Sequence, residues 1–143
     1  MRIKDVVHGK SSQDVVTIAP DATVRELIAL LAEHNVGALV VSEDGERVSG
    51  IVSERDVVRH LHADEAVLDK AVRQIMTSDV RTCAAEDAVP ELMQTMTEHR
   101  IRHVPVVADG RLTGIISIGD VVKSRIGELE FERDQLDHYV HQT

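Results

Sequence analysis

Apolar residues recur along the chain with two periods that alternate in a fixed order. Val24, Leu27, Ile28 and Leu31 follow the i, i+3, i+4, i+7 spacing of one helical face, and Val89, Leu92, Met93 and Met96 repeat it. Short aliphatic runs follow each time, at 38–42 and 48–52, then at 104–107 and 112–116. They flank "EDGER" and "ADGR", the turn chemistry of two hairpins. Their near-continuous apolar character predicts strands covered on both faces. Lead-in strands are predicted at 15–18 and 80–83, helix ends near His34-Asn35 and His99-Arg100, and further helices after Ser53 and Ser117. Thr23 and Glu26 have capping-box spacing, and Pro90 suits the first turn of its helix.

The order repeats because the sequence does. Residues 14–45 align without gaps on 79–110 with 12 identities in 32 positions, and 47–59 align on 111–123 with 7 in 13. A period of about 65 residues exceeds that of ordinary solenoids and predicts two halves that bury each other's faces. The expected fold is α/β: two pseudo-symmetric β-α-β-β-α repeats packed as one module, with a short C-terminal helix. The expected boundaries are 1–62 and 73–126 for the repeats, 63–72 for a linker that extends or bridges the helices, and 127–143 for the tail.

With 43% apolar residues but one Phe, one Tyr and no Trp, the core has to be aliphatic. Sixteen basic against 25 acidic residues give a net charge of −9, which argues against nucleic acid and anionic membranes as partners. The single cysteine, Cys83, excludes an internal disulfide and is expected to pack in the core. The N-terminus has no apolar core of a secretory signal and no segment reaches membrane-spanning length, so a cytoplasmic protein is expected. Of eight histidines only His60 and His62 stand close together, without further ligands nearby, and no metal is expected. No P-loop or nucleophile elbow is present, and no enzyme activity is expected.

The chemistry concentrates in "GIVSERDVV" (50–58) and "GIISIGDVV" (114–122). Ser53-x-x-Asp56 and Ser117-x-x-Asp120 each stand where a strand meets a helix. One reading is a helix cap, with serine at the N-cap and aspartate three residues on. The other uses the same geometry for a ligand. Free amides and the positive dipole end attract an anion, the hydroxyl adds a hydrogen bond, and the carboxylate accepts from the two hydroxyls of a ribose. One serine can serve both.

The doubled unit closed by G-h-h-[ST]-x-x-D resembles a tandem pair of CBS domains (a Bateman module). "IMTSDVRT" and the pair "EHNVGALVV"/"EHRIRHVPVV" match as well. The resemblance covers residues 3–125, and the small stand-alone bacterial CBS-pair proteins are the most similar. It implies a regulatory module whose clefts between the repeats take an adenine nucleotide: AMP, ADP, ATP, NAD or the related S-adenosylmethionine. One repeat's Ser/Thr and Asp then hold phosphate and ribose, and the lead-in of the other repeat sandwiches the base. It also implies a homodimer and an unidentified regulated protein. An interaction module without a nucleotide is the alternative.

Two clefts follow from the pseudo-symmetry. The first joins Ser117 and Asp120 to Arg102 and His103, which match basic phosphate-contacting positions in the γ subunit of AMP-activated protein kinase. Lys10 or Ser12 is placed to reach the nucleotide, with Val15, Val36 and Ile115 flanking the base. The second joins Ser53 and Asp56 to Arg55, Ile51, Thr77 and Asp79, but has Gly37 and Ala38 where the other has Arg102 and His103. Each charged hydrogen bond is worth roughly 1.5–3 kcal/mol, so the second cleft is expected to bind phosphorylated ligands more weakly.

Overall fold

A short helix, α1 (Ile3–His8), stands ahead of the first strand, and the computed structural model describes residues 1–9 and 15–141. Lys10 and Ser12 lie outside the described residues. The first repeat then runs β1 (Thr17–Ile18), α2 (Val24–His34), β2 (Ala38–Val41), β3 (Gly50–Ser53) and α3 (Glu54–Ala63). Two 3-10 turns, Glu65–Asp69 and Val72–Gln74, carry the chain onward. The second repeat has α4 (Val89–His99), β4 (His103–Ala108), β5 (Arg111–Ser117) and α5 (Ile118–His141).

The local signals set the ends of these elements. Thr23 Oγ1 accepts from the Glu26 amide at 3.1 Å, and Glu26 Oε2 accepts from the Thr23 amide at 3.0 Å, completing the box at α2. Helices α2 and α4 end on left-handed residues, Asn35 at φ 52 and Arg100 at φ 54. Asparagine tolerates that region better than arginine does. The buried stripe of α2 is Val24, Leu27 and Leu31; Ile28 is exposed, so the covered face is narrower than the spacing predicted.

Strand β2 lies between β1, parallel to it, and β3, antiparallel to it. The second sheet pairs β4 with β5, and the predicted strand at 80–83 shrinks to a single parallel bridge from Cys83 to Val106. Pro105 stands where the first repeat has Val40, the partner of Thr17, and has no N–H to offer that ladder. What survives is symmetric: Val107 N–H donates to Cys83 O at 2.9 Å, as Ser42 N–H donates to Ile18 O at 2.9 Å. Burial, with the Asp87 charge as a second cause, pushes the Cys83 thiol up to about 12, so it is an unionised core group.

There are two cores, and each is completed by chain that precedes the other repeat. Ile3 and Val6 of α1 pack with Cys83, Val89, Leu92, Met96, Val104, Val106, Ile116 and Val121 in the second. Ile3 N–H donates to Asp87 O at 3.0 Å and Val89 N–H to Met1 O at 3.1 Å. The linker does the converse. Val67, Val72 and Ile75 enter the first core, and Val72 N–H donates to Ala22 O at 2.8 Å. The two repeats are thereby laced together. The tail is not a separate helix: α5 runs 24 residues without interruption, passing through Gly127, and Val121 is its one buried residue. Among the described residues no helix is long and apolar enough to cross a membrane.

Candidate functional site

Both Ser-x-x-Asp motifs are built as reciprocal caps. Ser53 has extended backbone, φ −123 and ψ 165, and its Oγ accepts from the Asp56 amide at 3.2 Å. Asp56 Oδ2 accepts from the Ser53 amide at 2.9 Å and from its hydroxyl at 3.1 Å. In the second repeat the Ser117 amide donates to Asp120 Oδ2 at 2.9 Å and the Asp120 amide donates to Ser117 Oγ at 3.1 Å. The first helical amides are also committed: Glu54 N–H donates to Gly37 O at 2.9 Å and Ile118 N–H to Arg102 O at 2.8 Å.

These bonds narrow what the motif has left for a ligand. With the first and third amides used, a helix terminus offers less to an anion than the pattern alone suggests. Among the described residues Asp56 Oδ1 accepts no hydrogen bond, so one oxygen of a half-buried carboxylate stays open beside the serine. A fixed carboxylate oxygen next to a hydroxyl suits a vicinal diol. An anion at this terminus would have to be held by side chains rather than by these amides.

Around the first motif, Ile51 and Thr77 come together in an antiparallel bridge, with N–H to O distances of 3.0 and 2.9 Å in the two directions. Ser53, Asp56, Ile51 and Thr77 thus share one end of the first sheet, and Asp79 follows two residues on, exposed. Around the second motif, His103 sits directly opposite Ser117 in the β4–β5 register, and Ile115 opposite Pro105. Arg102 precedes His103 and is exposed. Val15 is half-buried ahead of β1, and Val36 is exposed between α2 and β2. Among the described residues no hydrogen bond or ion pair ties Asp79, Val15 or Val36 to a motif.

Two features had no signal in either repeat alone. The starts of β2 and β4 meet: a Cβ on Gly37 would lie 3.6 Å from His103 Cε1 and 3.6 Å from Glu54 Oε1. Gly37 of the first repeat thus lies against His103 of the second, although nothing in either repeat alone sets the two together. The second feature is a cleft of about 440 Å³ with Arg55 from the first repeat and Thr97, Arg100, Ile101, Arg102 and Ile118 from the second. Arg55 therefore faces residues of the other repeat as well as its own motif. Among the described residues none of these three arginines pairs with a carboxylate. In a chain of net charge −9 this is a concentrated positive patch, suited to an anion. The one hint of Arg100 was its place opposite Asn35, a residue better suited to its left-handed backbone. No group of three or more potential metal-ligating side chains occurs among the described residues.

Comparison with known proteins finds the CBS domain family model matching residues 3–63 and 72–127. The CBS-domain containing protein ATU1752 from Agrobacterium tumefaciens has a similar structure, with TM-score 0.82 and 43% identity over 87% of this chain and 99% of that one. The CBS domain pair of protein MJ0100, solved in complex with 5-methylthioadenosine and S-adenosyl-L-methionine, superposes with TM-score 0.78 at 26% identity, covering 90% and 98%. The mitochondrial CBS domain-containing protein CBSX3 of Arabidopsis thaliana is 38% identical over 84% of this chain, which spans 61% of the length of that relative.

Proposed function

The chain belongs to the CBS-domain family as a tandem pair of such domains, and we propose that it is a regulatory sensor of adenine nucleotides. On this reading AMP, ADP, ATP or NAD enters a cleft between the repeats, changes how they pack, and a partner protein reads the change. The observation that carries it is the juxtaposition of His103 with Ser117 across β4 and β5, with Arg102 adjacent and Asp120 capping beside them. A guanidinium and an imidazole beside a hydroxyl and a carboxylate suit phosphate and ribose. The adenosyl ligands of the MJ0100 pair support the class of ligand. The role is regulatory rather than catalytic, in a cytoplasmic homodimer that needs no metal.

On this reading Val15, Val36 and Ile115 complete the Asp120 cleft, with Lys10 or Ser12, outside the described residues, the sequence's candidates to reach the nucleotide, and Arg55, Ile51, Thr77 and Asp79 complete the weaker Asp56 cleft. A thermal-shift screen with AMP, ADP, ATP, NAD and S-adenosylmethionine tests the reading. A ligand at a hundred times its Kd stabilises by about 2.7 kcal/mol, expected to raise Tm by about 5–10 °C. One observation favours a module that binds only protein: each motif serine and aspartate already serves a cap. No shift with any of the five ligands would select that alternative.

A further inference from the structure

The cleft of about 440 Å³ between the repeats carries a charge pattern that the Ser-x-x-Asp motifs do not explain. Its three guanidiniums come from separate places: Arg55 from the first turn of α3, Arg100 from the end of α4 and Arg102 from the approach to β4. Their equivalents in the other repeat are Gly119, Asn35 and Gly37, so the symmetry-related positions hold no basic residue at all. Arg100 adds an independent signal. Its backbone is left-handed, at φ 54 and ψ 42, a conformation that Asn35 accepts more readily in the first repeat. Its amide is already used, donating to Met96 O. An arginine kept in that conformation, without a carboxylate partner among the described residues, has its guanidinium left to contribute.

We propose that this cleft is a polyphosphate site, in which a chain of two or three phosphates lies across Arg102, Arg100 and Arg55 without needing a base or a ribose. A single phosphate carries at most about two negative charges, fewer than three guanidiniums answer. The walls are fixed to each other, since Ile118 N–H donates to Arg102 O at 2.8 Å. Met96 is buried and Ile101 and Ile118 are half-buried, so the guanidiniums share the cleft with apolar groups and act more strongly than in open water. Thr97 adds no donor, because its hydroxyl donates to Met93 O at 2.9 Å. Glu54, next to Arg55 in sequence, has its carboxylate against Gly37 and is not in the lining. The chain of phosphates is either free or the tail of a nucleotide whose first phosphate meets Arg102.

Calorimetry on the full chain, without magnesium, tests this with inorganic tripolyphosphate, which should bind at least tenfold tighter than orthophosphate. Arg100→Asn gives α4 the end that α2 has. It should weaken tripolyphosphate at least fivefold, with Tm unchanged or higher and AMP affinity changed less than twofold. Arg111→Gln, at the β4–β5 turn and 3.8 Å from Glu46, is the control for general charge and should weaken it less than twofold. Tripolyphosphate no tighter than orthophosphate, or an equal loss in the two variants, would overturn the site. ATP separates the sources: binding tighter than tripolyphosphate makes the chain a nucleotide's tail, and binding no tighter makes it free polyphosphate. Failure of every adenine nucleotide to bind better than tripolyphosphate would sink the nucleotide reading and leave this site standing.

Discussion

Ile3→Asp should destabilise the protein by about 4 kcal/mol or more and lower Tm by at least 10 °C, although residue 3 stands at the head of the first repeat and not in the second. Ile3 is fully buried in the second core, among residues that begin at Cys83. Removing its side chain forfeits burial and leaves a cavity, at about 2–5 kcal/mol, and a buried carboxylate without a partner adds desolvation. Lys4→Ala is the control. Its contact with Glu86 is 3.2 Å long but exposed on both sides, so Tm should move by less than about 2 °C. Thermal denaturation followed by circular dichroism reads both. A small shift for Ile3→Asp would mean that α1 does not complete the second repeat. The consequence reaches function, because α1 also packs against β5 and α5, which carry Ser117 and Asp120.

The second large effect concerns affinity. Arg102→Gly with His103→Ala gives β4 the start that β2 has, and nucleotide binding at the Asp120 cleft should weaken by tenfold to a hundredfold. Two charged hydrogen bonds at roughly 1.5–3 kcal/mol each would exceed this range, but Arg102 is exposed and its contribution is screened. Calorimetric titration gives the ratio. Thermal stability should change by no more than a few degrees, since Arg102 makes its helix contact through a backbone oxygen that glycine retains. An unchanged Kd would remove both residues from the site. The converse graft, Gly37→Arg, should not create a second strong cleft, because a side chain there meets His103 and Glu54.

Local patterns were legible wherever the cause is local. The Thr23–Glu26 box, the helix ends near Asn35 and Arg100 and the two serine caps depend on residues within a turn of each other. The hairpins follow from aliphatic runs around turn residues. What escaped depends on chain far away. Nothing near Ile3 says that its helix serves the second core, and nothing near Val72 says that the linker fills the first. The lead-in at Cys83 reads as a strand until Pro105 is set opposite it. The site shows the same division. Ser53, Asp56, Ser117 and Asp120 announce themselves by repetition. The fit of Gly37 to His103 and the meeting of Arg55 with Arg100 and Arg102 exist only once the repeats face each other.

The central claim is that the Asp120 cleft holds the nucleotide and the Asp56 cleft holds it less well. Calorimetric titration of AMP into wild type, Asp120→Ala and Asp56→Ala measures this most directly, because each substitution removes the carboxylate that caps the equivalent helix. Asp120→Ala is expected to abolish the tighter binding event, a loss of at least tenfold, while Asp56→Ala leaves it in place. Equal affinity of wild type and Asp120→Ala, or a greater loss in Asp56→Ala, would contradict the account.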